Sequence, residues 1–115
     1  MIIGIGIDIV QISRVTEDIA HKILSLEELE MYKSFTSYKR QREFLAGRFC
    51  VKESVKKALP AFEGFHSMTE LIVLNDEAGK PYLKSPIFND KICMLSISHE
   101  LEYAVGLCVV EKTII

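Results

Sequence analysis

The first residues of the chain alternate between large apolar side chains and small or polar ones. The apolar face holds Ile3, Ile5, Ile7 and Ile9, and the other face holds Gly4, Gly6 and Asp8. A period of two is the spacing of side chains on a β-strand, so the sequence predicts a strand over residues 2–10. The two glycines leave one face without bulk, which lets another element or a ligand approach the backbone closely. Asp8 is then either a carboxylate at the end of this cleared face or simply the polar end of the strand.

Capping residues and turn residues predict the remaining elements. Ser25 followed by Glu28 is typical of a capping box and predicts a short helix over residues 26–33. Thr36 or Ser37 can cap a longer helix, which Pro60 ends just past residue 58. Further strands are predicted over residues 70–75, 82–85, 92–98 and 103–111, with a turn over 75–81 and a hairpin tip over 99–102. The order β, α, α, β, β, β, β predicts one α+β domain over residues 1–115, with a mixed or antiparallel sheet packed on the long helix.

The long helix has two apolar faces when its residues are placed 100° apart. One face is a core stripe of Phe44, Val51, Val55, Ala58 and Leu59, and the opposite patch consists of Ala46, Phe49 and Cys50. Glu53 and Lys57 project from the middle of this second patch. Covering both faces is difficult for a 115-residue domain alone, so the pattern predicts a subunit interface on the helix.

Charge is distributed unevenly along the chain. The net charge is −2, but residues 37–57 hold seven basic and two acidic side chains, a local +5 on an otherwise acidic body. This asymmetry indicates an anionic ligand or partner near that segment, although an ordinary solvated helix face has the same composition. Lys52 and Lys56 lie on a different sector of the helix, where they solvate it or attract an acidic partner.

The cysteines and the chain's apolar segments indicate the compartment. Cys50, Cys93 and Cys108 lie in apolar surroundings without CxxC spacing, which favours buried thiols in a reducing compartment over disulfides or zinc ligands. The N-terminal MIIGIGID lacks the basic segment of a secretion signal, and the longest clean apolar run, residues 104–110, is too short to cross a bilayer. We therefore expect a cytoplasmic protein without a membrane partner.

Glu53 and Lys57 are the candidate chemical groups on the long helix. They are four residues apart and hence neighbours, so an ordinary surface ion pair is the simplest interpretation. In an apolar patch, however, charges are costly unless something compensates them. A divalent cation bound by Asp8 and Glu53 is such compensation, because two carboxylates with waters and phosphate oxygens form the usual Mg²⁺ site. Arg48 and Lys57 could then neutralise phosphates held at that metal.

Five segments together resemble one known family. They are GIGIDIVQISRV (4–15), ILSLEELEMY (23–32), FLAGRFCVKESVKKAL (44–59), GKP (79–81) and LSISHELEYAVGLCVVE (95–111). In this order they resemble the holo-[acyl-carrier-protein] synthases, which are small single-domain 4′-phosphopantetheinyl transferases. The resemblance implies that family's fold and a Mg²⁺-dependent transfer of the 4′-phosphopantetheine arm of coenzyme A to a serine of acyl carrier protein. The other product is adenosine 3′,5′-bisphosphate.

The resemblance also implies roles for particular residues. Asp8 and Glu53 match the family's Mg²⁺ ligands, and Glu53, directly or through a bound water, is the candidate base for the carrier serine. Lys57 and Arg48 match phosphate contacts. The residues matching the nucleotide end of the site are Lys80, Pro81, Ser98 and His99, although His99 could equally be an ordinary exposed histidine. Arg14 matches a basic position that meets the carrier protein, and the family is typically a homotrimer with active sites between subunits.

One departure from the family leaves two alternatives open. After Leu59 the family usually has a Gly-Thr-Gly stretch that helps to hold the nucleotide phosphates, but this chain has PAFEGF at 60–65. A non-catalytic, trimeric module that binds coenzyme A or the carrier is favoured only by this difference. A metal-dependent phosphodiester hydrolase also combines Asp, Glu and Lys. Such nucleases place Glu and Lys two apart on a strand, and the aromatic and basic residues of a nucleic-acid surface are few here, so no nucleic-acid partner is expected.

Overall fold

A computed structural model describes residues 1–59, 67–84 and 90–112. The strands are β1 (Ile2–Gln11), β2 (Val73–Asn75), β3 (Pro81–Leu83), β4 (Lys91–His99) and β5 (Tyr103–Lys112). The helices are α1 (Ala20–Ile23), α2 (Leu26–Ser34) and α3 (Tyr38–Ala58), and 3₁₀ turns cover Ile12–Arg14, Glu17–Ile19 and Met68–Glu70. The predicted α+β architecture with a long helix is confirmed. The strand predicted over 70–75 is shorter than expected because its first residue belongs to a 3₁₀ turn.

The strands form two antiparallel sheets within the described residues. One has three strands in the order β1-β5-β4, and the other pairs β2 with β3. In the first sheet Asp8 lies opposite Gly106, which in turn lies opposite Ile97. At the predicted hairpin tip, the Glu100 N–H donates to the Tyr103 carbonyl oxygen at 2.9 Å. β4 and β5 therefore form a hairpin, and the N-terminal strand β1 lies at an edge of the sheet.

Helix α3 lies directly on the glycine face of the three-stranded sheet. A Cβ added at Gly6 would lie 2.0 Å from the Ser54 carbonyl oxygen, and one added at Gly106 would lie 2.4 Å from the Val51 nitrogen. The face that the sequence predicts to be open to another element or to a ligand is therefore occupied by α3. Along this backbone contact α3 is antiparallel to β1. Asp8 therefore lies beside the second half of the helix.

Both apolar faces of α3 are covered within the chain. Val51 and Val55 pack in one buried cluster with Leu71, Val73 and Val110. Ala46 and Cys50 are fully buried in a second cluster, formed with the 3₁₀ turns, α1 and α2. The segment between β1 and α3 folds back over the second face and accounts for the burial of Ala46 and Cys50, so that face does not need a partner subunit to be covered, and the subunit interface stays a prediction.

The apolar surface that is left uncovered lies on the outer face of the three-stranded sheet. Its exposed members have 41% to 67% of their surface accessible, and they are Ile5, Ile7, Ile9, Ile92, Met94 and Tyr103. They occupy one face by register, because Ile5 lies opposite Val109 and Val109 lies opposite Met94. A contiguous apolar surface of this kind is typical of an interaction site. No helix among the described residues is long and apolar enough to cross a membrane.

Lys52 is completely buried, which corrects the expectation that it solvates the helix. Its Nζ atom donates to Glu28 Oε1 at 2.6 Å and to the carbonyl oxygens of Ile23 and Met68 at 2.6 and 3.0 Å. These acceptors come from α1, α2 and the 3₁₀ turn that cover this side of α3. Burial lowers the pKa of Lys52, and the charge of Glu28 opposes that shift. Lys56, in contrast, is exposed as expected.

Gly6→Ala is expected to lower the free energy of unfolding by about 3 kcal/mol, because the methyl group would overlap the backbone of α3. Gly47→Ala is the matched control, since its Cβ would meet only the movable Cγ2 of Ile97 at 3.0 Å. Its better helix propensity offsets that contact, so we expect a change below about 1 kcal/mol. Urea denaturation followed by circular dichroism measures both. Equal stability of the two variants would contradict the close approach of α3 to β1.

Candidate active site

Asp8, Glu53 and Lys57 form the first group of candidate site residues. Lys57 Nζ lies 3.0 Å from Asp8 Oδ1 and also donates to the Ile7 carbonyl oxygen at 3.0 Å. Glu53 lies one turn before Lys57 and pairs at 3.9 Å with the exposed Lys56. The side chains of Asp8 and Glu53 are 18% and 26% exposed, so both remain open to a ligand. The structure thus brings Asp8 of β1 against Lys57 of α3.

The thiol of Cys50 shows that the two carboxylates share one neighbourhood. Burial, the charge of Asp8, a hydrogen bond to Asp8 and, to a smaller extent, the charge of Glu53 together raise the pKa of Cys50 to about 12. The sulfur is also close to the Ala104 carbonyl oxygen, at 3.3 Å. A neutral, apolar thiol therefore lies beneath Asp8 and Glu53. The anionic atoms at this position are therefore the carboxylate oxygens of Asp8 and Glu53.

The donor set fits Mg²⁺. Among the residues that the structure describes, no cluster of three or more His, Cys, Asp or Glu side chains could hold a metal ion by itself. Mg²⁺ is usually bound by one or two carboxylates, with waters and substrate phosphates completing the octahedron. Asp8 and Glu53 supply two carboxylates, and Lys57 supplies a cation for an anionic substrate. The group is thus suited to a metal that binds together with a phosphate.

The second group lines a cavity of about 360 Å³ on another side of the molecule. Three predicted residues line it, namely Arg48, Pro81 and His99. Sequence reasoning did not single out Arg40, Phe44 or Asn75, which line the same cavity. Arg40 and Phe44 precede Arg48 by eight and four residues, which places all three on one face of the same helix. This spacing was the sequence signal that could have identified them. Asn75 comes from a different strand and had no local signal.

Arg48 is the cation in the wall of this cavity. Its side chain is only 6% exposed, its guanidinium carbon lies 4.4 Å from the centre of the Phe44 ring, and its Nη2 donates to Asn75 Oδ1 at 2.5 Å. Nε of Arg48 has no hydrogen-bond partner among the described residues. Burial lowers the pKa of Arg48, and Glu28 opposes that shift. A buried guanidinium beside a cavity is suited to an anion.

His99 and the residues near it form the rim of the cavity. Nδ1 of His99 lies 3.6 Å from Glu43 Oε2, and Arg40 Nη1 lies 3.5 Å from Glu43 Oε1. Glu43 thus lies between two groups that can carry positive charge. Ser98, the neighbour predicted with His99, is exposed on the opposite face of the sheet, because successive strand residues alternate between faces. Within one chain Ser98 and His99 therefore do not meet the same ligand.

The other predicted residues lie at the surface. Lys80 is exposed in the turn between β2 and β3, and its N–H donates to Asp76 Oδ1 at 2.8 Å. Pro81 follows it at the start of β3. Arg14 is exposed at the end of the first 3₁₀ turn. The departure from the Gly-Thr-Gly pattern at 60–65 lies outside the described residues.

The two groups open on opposite sides of α3. Arg48 and Lys57 are nine residues apart, which places them about 180° apart around the helix. Asp8 and His99 lie on the two outer strands of the sheet, separated by β5 and hence by about 10 Å across the strands. One chain therefore presents a carboxylate and lysine group on one side and a cation-lined cavity on the other. After the ligands that the sequence resemblance predicts for them, they are called here the metal half and the nucleotide half.

Comparisons with known proteins agree on one family. The family model for the 4′-phosphopantetheinyl transferase superfamily matches residues 4–108. A holo-[acyl-carrier-protein] synthase of Petrotoga mobilis is 42% identical over 118 residues, covering 96% of this chain and 97% of that protein. One from Anoxybacillus flavithermus is 41% identical, covering 97% and 98%.

Solved structures have the same fold. A Bacillus anthracis holo-(acyl-carrier-protein) synthase in complex with CoA (3′,5′-ADP) superimposes with a TM-score of 0.86 and 36% identity, covering 98% of this chain and 99% of that one. The Thermotoga maritima enzyme superimposes with a TM-score of 0.84 and 37% identity, covering 98% of this chain and 66% of that one. The structural agreement extends over nearly the whole chain.

Proposed function

The chain belongs to the 4′-phosphopantetheinyl transferase superfamily, and we propose that it transfers the 4′-phosphopantetheine group of coenzyme A to a serine of apo acyl carrier protein. Its relatives are holo-[acyl-carrier-protein] synthases, and one of them was solved with CoA (3′,5′-ADP). The observation that carries the proposal is the pairing of Asp8 and Lys57 beside Glu53, as expected for a site that acts on a metal-bound pyrophosphate. The cation-lined cavity supports a nucleotide as the other part of the substrate.

The reaction forms one phosphorus–oxygen bond and breaks another. The serine oxygen of the carrier attacks the phosphorus that bears the pantetheine arm, and the bond from that phosphorus to the bridging oxygen breaks. Adenosine 3′,5′-bisphosphate leaves with that oxygen. Glu53 accepts the serine proton, since a carboxylate close to the attacking hydroxyl can act as its base. Lys57 stabilises negative charge on the phosphate oxygens as the leaving group departs.

Asp8 and Glu53 would hold Mg²⁺ in this site. The bound ion supplies charge neutralisation of the pyrophosphate and polarises the phosphorus under attack. Lys57 pairs with Asp8 at 3.0 Å in the chain alone, so this lysine is already oriented toward the same space. Lys57 would then bind and orient the pyrophosphate directly, the two carboxylates would hold the ion, and Arg48 and His99 belong to the nucleotide half.

We propose that the protein is a homotrimer with active sites between subunits. Two observations support this. The outer face of the three-stranded sheet exposes a row of isoleucines that its own chain leaves uncovered, including Ile5 at 67%. The metal half and the nucleotide half open on opposite sides of α3, so one coenzyme A molecule is best held by the metal half of one protomer and the nucleotide half of its neighbour. Heterologous contacts of this kind close into a ring of three when successive protomers are related by a rotation of 120°.

Acyl carrier protein would approach the metal half. Arg14 is exposed near the end of β1, the strand that carries Asp8, and it can meet an acidic carrier surface. Charge complementarity of this kind raises association rates and fixes orientation more than it raises affinity. The serine would then reach the phosphorus at Asp8 and Glu53 without entering the nucleotide cavity.

Incubation with apo acyl carrier protein, coenzyme A and Mg²⁺ should give a phosphopantetheine adduct on the carrier, detected by mass spectrometry. Glu53→Gln should lower the rate by about 10²–10⁴-fold, because both the base and one metal ligand are lost. The oligomer size and the binding of adenosine 3′,5′-bisphosphate should be retained. No adduct from the wild-type protein despite coenzyme A binding would indicate a non-catalytic module, and cleavage of nucleic acid would indicate a hydrolase. Either result overturns the proposal.

Mixing two inactive variants tests whether the site is shared. Glu53→Gln disables the metal half and Arg48→Met the nucleotide half, so each variant alone should be inactive. After unfolding and refolding together in equal amounts, about one quarter of the sites should combine two intact halves and regain activity. Glu53→Gln mixed with Asp8→Asn is the control, since both changes fall in the metal half and no activity should return. Absence of recovery in the first mixture would place both halves in one protomer.

A single charged substitution tests whether the outer face of the three-stranded sheet is the subunit interface. Ile5→Glu should dissociate the trimer, because burying a carboxylate without a partner in an apolar interface is costly. Leu26→Glu is the control: Leu26 is 82% exposed, but it lies at the start of α2, away from the sheet. Sedimentation velocity at micromolar concentration measures both variants. An Ile5→Glu protein that remains fully trimeric would exclude this face as the interface.

A further inference from the structure

Glu28 is an acidic residue buried completely at the junction of three elements. Its Oε1 atom accepts hydrogen bonds from the Ser25 N–H at 2.8 Å and from Lys52 Nζ at 2.6 Å. Its Oε2 atom accepts from the Val73 N–H at 3.2 Å and lies 3.7 Å from Nε of Arg48. The carboxylate therefore joins α2, α3 and β2 at one buried point. It also reaches the back of the nucleotide half.

Arg48 is held from both ends by this arrangement. On the cavity side its Nη2 donates to Asn75, whose own Nδ2 donates to the Gly79 carbonyl oxygen at 2.9 Å. On the buried side, the acidic group that lies within ion-pair distance of Arg48, among the residues that the structure describes, is the carboxylate of Glu28. Nε of Arg48 makes no hydrogen bond to a described residue, so the attraction acting on that end is the charge of Glu28 at 3.7 Å. The guanidinium in the cavity wall thus lies between Asn75 and Glu28.

We propose that Glu28 is a positioning residue for the nucleotide half, where its carboxylate sets the place at which the Arg48 guanidinium meets a phosphate of the nucleotide. The inference rests on the proposed function for the identity of that ligand. The capping box gives Glu28 a local role at the start of α2, since Ser25 and Glu28 accept each other's backbone N–H groups. The positioning role is a second one, and the two can be separated by mutation.

Glu28→Gln removes the positioning contact with little change of shape. Its amide oxygen can still accept from Ser25 and Lys52, but its amide nitrogen then faces two donors, the Val73 N–H and Arg48 Nε. Lys52 keeps the carbonyl oxygens of Ile23 and Met68 as acceptors. Loss of the carboxylate charge by itself would favour an anion in the cavity, because it removes a negative charge behind Arg48. A weaker affinity for a nucleotide phosphate would therefore report a displaced Arg48 rather than a change of charge.

The experiment measures binding and turnover separately. Calorimetric titration with adenosine 3′,5′-bisphosphate should give a dissociation constant about tenfold higher for Glu28→Gln than for the wild type. In the transfer assay, KM for coenzyme A should rise by a similar factor, while kcat at saturating coenzyme A stays within about twofold. In an Arg48→Met background, Glu28→Gln should have no further effect on the dissociation constant, because the contact acts through Arg48.

Ser25→Ala is the matched structural control. It removes the hydroxyl half of the same capping box but leaves the carboxylate of Glu28 against Arg48. Both variants should unfold at lower temperature than the wild type, yet Ser25→Ala should bind adenosine 3′,5′-bisphosphate within about twofold of the wild type. Equal dissociation constants for the two variants, or additive effects of Glu28→Gln and Arg48→Met, would show that Glu28 is only structural.

A second variant covers the case in which Glu28→Gln does not fold. Glu28→Asp keeps the charge beside Lys52 and retracts the carboxylate from Arg48 by one methylene. A dissociation constant raised by about threefold or more supports the positioning role, and a wild-type value overturns it. Failure of the proposed function is recognised separately, because the wild-type protein would then form no phosphopantetheine adduct on the carrier, whether or not it binds adenosine 3′,5′-bisphosphate.

Discussion

The backbone contact between α3 and the glycine face of the sheet is the constraint on which the rest of the structure depends. Gly6 and Gly106 have no side chain to hold the helix away, so α3 lies against β1 and β5 with Ser54 and Val51 at the points of contact. Because β1 and α3 run antiparallel at this distance, Asp8 falls beside Cys50, Glu53 and Lys57 rather than facing solvent. A larger residue on that face would separate the carboxylates, and with them the candidate metal ligands.

The cations of α3 lie in three environments, namely the interior, the edge of the cavity and the exposed surface. This explains why a segment rich in Phe, Val and Ala also carries many cations. Lys52 is neutralised by Glu28 in the interior, and Arg48 shares that carboxylate at the edge of a cavity. The buried cluster contains two cations and one carboxylate, so its excess positive charge faces the cavity. An anionic ligand compensates that charge, which links the stability of the interior to occupancy of the nucleotide half.

Local sequence patterns predicted the features that depend on a single helix or on the alternation of a single strand. They failed where burial of a residue depends on a segment that is distant in sequence. The alternation over residues 2–10 predicted the strand that carries Asp8, and the spacing of Glu53 and Lys57 predicted that they lie one turn apart on α3. Angular position on α3 could not show that Lys52 is buried, because the covering residues come from α1, α2 and a 3₁₀ turn distant in sequence. Ser98 and His99 were predicted together from a motif, although neighbouring strand residues face opposite sides.

The proposed division of the site between the two sides of α3 would give assembly a role in catalysis. If each site takes its metal half from one protomer and its nucleotide half from the next, an isolated chain binds either part of coenzyme A without holding both ends. The isoleucine face of the sheet is then retained as an apolar surface because its burial completes the active sites as well as the fold. A mutation on that face far from Asp8 would consequently lower activity by separating the two halves, while leaving the geometry of each half within its own chain unchanged.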